Sequence, residues 1–318
     1  MTTHKPANAS PTVARESHEG GAASARHRPR RTQARAYLYI APAFAVVAAF
    51  VLYPLGQSVW ISLFQWDGLS VATWTGLGNY AKALTDPTLL QSFWHSAILV
   101  FFFAVLPSVL ALFLAAVLQR GARMRGIGIF QTLIFLPQVI AAVVIGVIWV
   151  SIYAPGGLVN TILRGLGLGA LTHTWLGEFA TALPAVGLIG TWMEIGLCLV
   201  LFLTGISQIP GELYDAARTD GAGAIREFFA VTLPGLRGPI SIALTLTVIA
   251  ALKTFDIVFV TTGGGPGTST TVPAFQVYNL AFNQGQVGMA TTIGIILTIL
   301  VLILTVLIRR IAPKDDEQ

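Results

Sequence analysis

Three ionisable residues, Glu194, Lys253 and Asp256, lie inside long apolar runs of the sequence. Charged side chains at membrane depth usually face a water-filled cavity or pair with one another. Lys253 and Asp256 are three residues apart, so a continuous helix would carry both on one face and allow a structural ion pair. The alternative is that these residues, together with Glu194 and the nearby Trp192, line a polar path through a membrane.

Other site chemistries have little support in the sequence. It contains no Ser/His/Asp or paired-carboxylate constellation with catalytic spacing, so an intramembrane enzyme is not expected. His95 and His173 lack a second ligand at metal spacing and are expected on the surface of loops, so no metal site is expected. The single cysteine, Cys198, excludes an intrachain disulfide and a cysteine metal cluster. An ion- or proton-coupled secondary transporter, built on the three ionisable residues, stays open as an alternative.

The composition predicts a polytopic membrane protein. Of the 318 residues, 54% are hydrophobic and only 10% are charged, whereas soluble domains carry about 25% charged residues. A helix crosses the bilayer core with about 20 apolar residues, and six segments are long enough. The predicted spans are residues 37–64, 96–118, 127–153, 181–207, 240–262 and 289–307. The expected fold class is therefore all-α, with six transmembrane helices.

Basic residues predict the orientation of these spans. Sixteen of the nineteen Lys and Arg lie in the N-terminal tail, the connector 119–126, the segment 208–239 and the C-terminal end. The loops on the opposite side hold only Lys82 and Arg164. Because basic loops stay in the cytoplasm, both termini and the segment 208–239 are expected to be cytoplasmic.

The domain organisation follows from the same features. Residues 1–35 contain few large apolar side chains and are expected to form a disordered, basic cytoplasmic tail that orients the first span. Contact with nucleic acid or lipid is the alternative role for this tail. Residues 36–313 are expected to form the membrane domain, and residues 314–318 a short C-terminal tail.

The segment Ile209–Pro239 is charged although it separates two apolar spans. It holds four of the fourteen acidic residues and three arginines. Pro210 suits the first position of a helix, and Asp220-Gly221 predicts its end. A second helix, from about Ala222 to Thr232, is expected to stop at Leu233-Pro234, because a residue before proline disfavours the α conformation. The sequence predicts two short helices joined by a bend, with an amphipathic loop on the membrane surface as the alternative.

The same segment resembles the EAA loop of bacterial ABC-importer permeases, the binding-protein-dependent transport permeases, and is most similar to MalF-like carbohydrate permeases. The resemblance rests on Glu212–Ala222, Phe228, Leu233-Pro234 and Pro239. It continues in the family's order through Tyr53-Pro54, Gly76–Tyr80, Leu136-Pro137 with Trp149, Gly156–Asn160, and Phe255-Asp256 with Thr261–Pro266. The sequence departs from the family's EAA triplet at its first residue, Asp215, which keeps the negative charge on a side chain one methylene shorter.

The resemblance implies a permease subunit of an ATP-driven importer, which forms half of the translocation path for a sugar or oligosaccharide and hydrolyses no ATP itself. It implies no cofactor, because ATP binds to a separate subunit. The implied partners are a second homologous permease subunit, two copies of a cytoplasmic ATPase subunit, an extracytoplasmic sugar-binding protein and membrane lipid, and no nucleic acid. The implied location is the bacterial inner (cytoplasmic) membrane.

The family's mechanism also implies roles for individual residues. The bent helix pair would sit in a cleft of the ATPase, whose closure on ATP would move the spans from inward-facing to outward-facing. Within the pair, charged residues would contact the ATPase, small residues would allow its close approach, and a Leu-Pro pair would brace the loop against the membrane. The charged residues are Asp215 and Arg218, the small residues are Ala216, Ala217 and Gly221, and the Leu-Pro pair is Leu233 and Pro234. Glu212 and Asp220 complete the set of residues expected to couple the loop to the ATPase. For a sugar, Trp192, Glu194, Lys253 and Asp256 would be the candidate path, because aromatic faces and carboxylates suit sugar hydroxyls.

Overall fold

The computed structural model describes the backbone of residues 30–120 and 127–311. Of residues 1–35, for which disorder was predicted, residues 1–29 lie outside the described residues. Residues 30–35 form the beginning of the first helix. The predicted C-terminal tail, 314–318, lies outside the described residues, as does most of the arginine-rich connector 119–126.

The described residues are helical almost throughout. Their α-helices are α1 (Arg30–Val47), α2 (Tyr53–Ser62), α3 (Gly78–Thr85), α4 (Pro87–Val100), α5 (Leu106–Arg120), α6 (Ile127–Val139), α7 (Ala142–Tyr153), α8 (Leu158–Gly165), α9 (Ala182–Ser207), α10 (Gly211–Thr219), α11 (Ala224–Glu227), α12 (Leu233–Gly235), α13 (Arg237–Lys253), α14 (Asp256–Thr261), α15 (Pro273–Tyr278) and α16 (Val287–Ile311). Five-residue π-helical turns occupy Ala48–Leu52, Phe101–Val105, Phe228–Thr232 and Asn279–Asn283, and Gly169–Leu171 forms a 3-10 turn. The strands of this part of the chain, β1 (Phe64–Gln65) and β2 (Thr73–Trp74), pair antiparallel with Phe64 opposite Trp74.

The chain divides into two compact units, residues 1–53 and 54–318. In the described part of the first unit, α1 and the π-helical turn after it expose large apolar side chains such as Tyr39 and Phe50. The second unit contains the buried core and the remaining helices.

The membrane-protein class is confirmed. Among the described residues, five helical segments are long and apolar enough to cross a membrane, or six if one bent pair is counted as a single span. The five are Tyr39–Ser62, Pro87–Gln119, Ala142–Gly165, Ala182–Ser207 and Val287–Arg310, and the bent pair is Ala224–Gly235 with Arg237–Lys253, which meet at 68°. The all-α, polytopic fold predicted from composition is therefore the one observed.

The second span begins earlier than predicted, at Pro87 rather than at residue 96. Asp86 caps it by accepting hydrogen bonds from the backbone N–H groups of Thr88 (2.8 Å) and Leu89 (3.3 Å), and Pro87 suits the first helical position. The prediction that His95 lies on the surface of a loop is consequently wrong. His95 is buried in α4, with Nδ1 2.8 Å from the backbone oxygen of Thr271.

Two predicted spans are broken into half-helices. The third consists of α6 and α7, which separate at residues 140–141, shortly after Pro137. Proline lacks the N–H that continues the helical hydrogen-bond pattern. The fifth consists of α13 and α14, with Thr254 in an extended conformation between them. Taken alone, none of these four halves reaches the about 20 residues that cross a bilayer. Helix α7 reaches that length only together with α8, in the candidate segment Ala142–Gly165.

Helix α9 is the centre of the second unit. In its most apolar stretch 56% of the residues are buried, against 33% or less in the other candidate spans. Val186 and Ile189 belong to a buried cluster that includes residues of α4, α7 and α14. Leu199 and Phe202 belong to a second cluster, with residues of α5 and α13. The neighbouring spans are thus held together largely through α9.

Glycines allow these neighbours to approach the α9 backbone, as small residues do in membrane helix pairs. A Cβ added at Gly196 would lie 2.5 Å from the Ile134 backbone oxygen and 2.9 Å from the Phe135 Cα. At Gly190, the ring of Phe103 occupies the position where a Cβ would lie. Helix α6 and the π-helical turn before α5 therefore rest directly on α9.

We expect Gly196→Ala to destabilise the protein by about 1–3 kcal/mol, since backbone atoms of α6 must move to admit the methyl group. The measurement is thermal unfolding of the purified protein in detergent. Gly294→Ala in α16 is the matched control, because no heavy atom lies within 4 Å of the added Cβ. Equal unfolding midpoints for the two variants would contradict the close contact between α6 and α9.

Candidate functional site

Residues 208–239 fold into a helical hairpin, called here the coupling loop. Its first arm, α10, begins after Pro210 and ends at Asp220. Gly221 has φ +77°, a conformation that glycine adopts without strain. The N–H groups of Gly221 and Ala222 donate to the carbonyls of Arg218 (3.0 Å) and Ala217 (2.9 Å), which closes the helix end. The end predicted at Asp220-Gly221 is the one observed.

The second arm runs from Ala224 to Gly235 as α11, a π-helical turn and α12. The prediction that this helix stops at Leu233-Pro234 is wrong. Pro234 lies within α12, which continues directly from the π-helical turn Phe228–Thr232. The chain bends instead after Gly235, where the arm meets α13 at 68°.

Side chains join the two arms at two levels. The Arg218 Nε donates to the Glu227 Oε2 at 2.9 Å, and the hydroxyl oxygens of Tyr214 and Thr232 lie 3.2 Å apart. The hydrogen bond to Glu227, with its negative charge, raises the pKa of Arg218. A guanidinium nitrogen of Arg218 also lies 3.6 Å from the Asp215 Oδ1, within α10 itself.

The first arm presents its predicted partner-binding residues to the surroundings. Glu212, Asp215, Ala216, Arg218, Asp220 and Gly221 are exposed, whereas Ala217, Leu233 and Pro234 are half-buried. A polar, rigidly capped helix surface of this kind can be contacted by another protein.

The candidate path residues on α9 do not share a face. Trp192 and Glu194 are two residues apart, so they point to different sides of the helix. Trp192 is 40% exposed and packs edge-on against Trp149 of α7, with ring centroids 5.7 Å apart. Glu194 is buried, with 6% of its surface exposed.

The position of Glu194 follows from its neighbours on the same helix face. Three residues before it, the Thr191 hydroxyl donates to the Phe102 carbonyl at 2.6 Å. Four residues after it, the Cys198 Sγ lies 3.8 Å from the Ser108 hydroxyl oxygen. Glu194 therefore faces the π-helical turn before α5. Among the described side chains, none donates a hydrogen bond to its carboxylate or forms an ion pair with it, so a polar group is held in the bundle without a partner.

The structure does not bring Lys253 and Asp256 together. Lys253 ends α13 and Asp256 begins α14, so the spacing that would place them on one helix face is interrupted. Both side chains are exposed and described, and they form no ion pair.

Trp149 is a candidate that sequence reasoning did not identify as part of the path. Its ring also packs against Tyr153, with centroids 4.9 Å apart. Its buried Nε1 has no hydrogen-bond partner among the described residues. The pair Trp149–Trp192 thus combines aromatic surface with a buried N–H group that has no partner among the described residues. The only signal in the sequence was the recurrence of tryptophan in the third and fourth spans.

Comparison with known proteins then decides the family. Residues 109–314 match the family described as the binding-protein-dependent transport system inner membrane component. The chain belongs to this family. It is a permease subunit of an ABC importer and not an enzyme, and the family carries no cofactor because its ATPase is separate. The ion-coupled transporter is thereby excluded as the function.

Relatives of the permease extend over most of its length. "Probable ABC transporter permease protein YurN" of Bacillus subtilis is 36% identical over 284 residues, which cover 89% of this chain and 97% of that protein. The diacetylchitobiose uptake system permease protein NgcF of Streptomyces coelicolor is 35% identical and covers 83% of this chain and 78% of its own. The trehalose/maltose transport system permease protein MalF of Thermococcus litoralis is 33% identical, with coverages of 85% and 90%.

A solved structure shares the fold of the permease. A chain of a bacterial ABC transporter involved in the import of alginate superposes with a TM-score of 0.72 at 20% identity. The match covers 90% of this chain and 98% of that one.

We expect Glu194→Met to raise the midpoint of thermal unfolding by roughly 2–4 °C, because it removes a buried carboxylate that has no partner. Glu212→Gln, on the exposed surface of α10, is the control and should leave the midpoint unchanged. Thermal unfolding in detergent measures both. A lower midpoint for Glu194→Met would mean that the carboxylate has a stabilising partner.

Proposed function

We propose that this permease subunit forms half of the translocation path for a sugar or oligosaccharide. The observation that carries the proposal is the Trp149–Trp192 pair, because the exposed part of the Trp192 ring offers an aromatic surface that suits the apolar face of a sugar. The relatives named for diacetylchitobiose and for trehalose or maltose support the same substrate class.

Two kinds of residue contribute to the proposed path. Trp192 and Trp149 supply stacking surface on one side of α9, and Glu194 supplies a carboxylate on another. Lys253 and Asp256 flank the break between α13 and α14, where the backbone leaves helical geometry. We include both residues in the proposed path because the break lies between two half-helices that share buried clusters with α9.

The coupling loop is proposed to transmit the movement of a cytoplasmic ATPase. Glu212, Asp215, Ala216, Asp220 and Gly221 form the exposed surface that the ATPase would contact. Ala217 allows its close approach, and Leu233 and Pro234 brace the second arm. The assembly would contain a second homologous permease subunit, two ATPase copies and an extracytoplasmic sugar-binding protein, within the lipid of the membrane. The alginate transporter was solved in complex with a pentasaccharide-bound periplasmic protein, which supports the last of these partners.

The protein is a multi-pass inner-membrane component. We propose a bacterial membrane and an orientation with both termini and the coupling loop in the cytoplasm, since the basic residues concentrate on that side.

We expect Asp215→Lys to abolish ATP-driven sugar uptake and the co-purification of the ATPase, because it reverses the charge on the exposed surface of α10. Uptake of radiolabelled sugars into vesicles containing the assembled importer, with and without ATP, measures the first effect. Leu69→Lys is the control for co-purification, since Leu69 is 96% exposed in the loop between β1 and β2. Unchanged uptake and co-purification in Asp215→Lys would rule out docking through α10, and uptake of other solutes only would rule out a sugar substrate.

Cysteine labelling tests the orientation. In a Cys198→Ala background, Leu69→Cys should react with a membrane-impermeant maleimide in intact cells or spheroplasts. Glu212→Cys should react only after the membrane is permeabilised. The reverse pattern would place the coupling loop outside the cell.

A further inference from the structure

Two side-chain contacts join the arms of the coupling loop. The turn between the arms begins at Gly221, where α10 is capped. Nearest to this turn is the ion pair of Arg218 with Glu227, followed by the hydroxyl contact of Tyr214 with Thr232. The contacts thus continue along both arms away from this turn.

The π-helical turn Phe228–Thr232 makes both contacts possible. On α10, Tyr214 and Arg218 are four residues apart and share a face. Their partners, Glu227 and Thr232, are five residues apart. In a regular α-helix, residues five apart point about 140° away from each other, at about 100° per residue. The wider turn with i→i+5 hydrogen bonds reduces this angle, so that both partners face α10.

The ion pair is asymmetric in burial. The Glu227 side chain is only 12% exposed, and within the described part of the chain its single ion-pair partner is Arg218. A buried carboxylate that loses its partner keeps an uncompensated charge. The Asp215–Arg218 contact is different, because both side chains are largely exposed and such pairs contribute little. The important contact of Arg218 is therefore the one across the hairpin.

The Arg218–Glu227 pair also lies close to a helix of the membrane domain. Arg218 and Glu227 line a cleft together with Tyr214 and with Gln119 at the end of α5. The pair thus lies between the loop and the helical bundle.

We propose that Arg218 is a positioning residue whose ion pair with Glu227 fixes the angle between the arms of the coupling loop. A movement imposed on α10 is then transmitted through the second arm to α13, because the angle between the two arms does not change. This inference rests on the proposed function, because it requires a partner that moves α10. It also changes the role expected for Arg218 from contact with the ATPase to a brace within the loop.

Charge reversal tests the brace. Arg218→Glu, Glu227→Arg and the double variant are assembled with the ATPase and the binding protein in vesicles. We measure sugar uptake per folded complex, ATP hydrolysed per sugar transported, and the amount of ATPase that co-purifies. Each single variant should lower uptake about tenfold and raise ATP hydrolysed per sugar, as expected for loss of a charge-assisted hydrogen bond, while the ATPase still co-purifies. The double variant should regain most of the uptake.

Two further variants serve as controls. Arg226→Glu makes the same charge change on an exposed side chain that forms no ion pair among the described residues, and it should leave ATP hydrolysed per sugar unchanged. Glu227→Gln keeps an acceptor and removes only the charge, so it should give a smaller loss in the same direction even if the reversals fold poorly.

The outcomes separate this inference from the proposed function. If Arg218→Glu behaves like Arg226→Glu, or if the double variant stays as impaired as the singles, the brace is overturned. If Arg218→Glu loses the ATPase and the double variant does not regain it, Arg218 contacts the ATPase instead. Absence of ATP-driven uptake in the unmodified complex would overturn the proposed function, and this inference with it.

Discussion

The contact of α9 with its neighbours through glycine is the constraint on which the rest of the structure depends. Lipid tails are as apolar as the side chains of a membrane helix, so association relies on close packing rather than on exclusion of water. Gly190 and Gly196 let Phe103 and the α6 backbone reach α9 itself. Near its end, Gly205 does the same for Pro239 of α13. Because α9 ends at Ser207, the coupling loop follows directly on the helix that carries Trp192 and Glu194.

The sequence predicted features that depend on composition and local signals. Apolar length and scarce charge gave the membrane class, and Asp220-Gly221 marked the end of α10. The predictions that proved wrong depend on contacts between distant residues or on non-standard helical turns. The π-helical turn Phe228–Thr232 let the second arm continue past Leu233-Pro234, and no local residue signal announces such a turn. Asp86 and Pro87, in contrast, are a recognisable helix start, which would have placed His95 inside a helix.

The candidate site shows the same division. The charge pattern located the coupling loop, but it could not show that Arg218 pairs with Glu227, since that contact depends on the angle of the hairpin. The Lys253–Asp256 pair assumed an unbroken helix and was lost when the helix broke at Thr254. Trp192 and Glu194 are two residues apart, and this spacing alone could have predicted that they lie on different faces of the helix. The ring contact between Trp149 and Trp192 could not be predicted before the packing of α7 on α9 was known.

The two broken spans bear on where the path lies. Backbone that leaves helical geometry at membrane depth is tolerated only where protein covers it or water reaches it. Neither the break at residues 140–141 nor the break at Thr254 can therefore face lipid tails, and Thr254 is buried in the protein. The half-helices beyond them, α7 and α14, pack on each other, with Ile145, Ile257 and Val258 in the same buried cluster as Val186 of α9. Trp149 lies on α7 and Asp256 begins α14. Both breaks thus lie at the start of half-helices that pack in the buried cluster around α9, and the partly buried Trp149 packs against the same cluster.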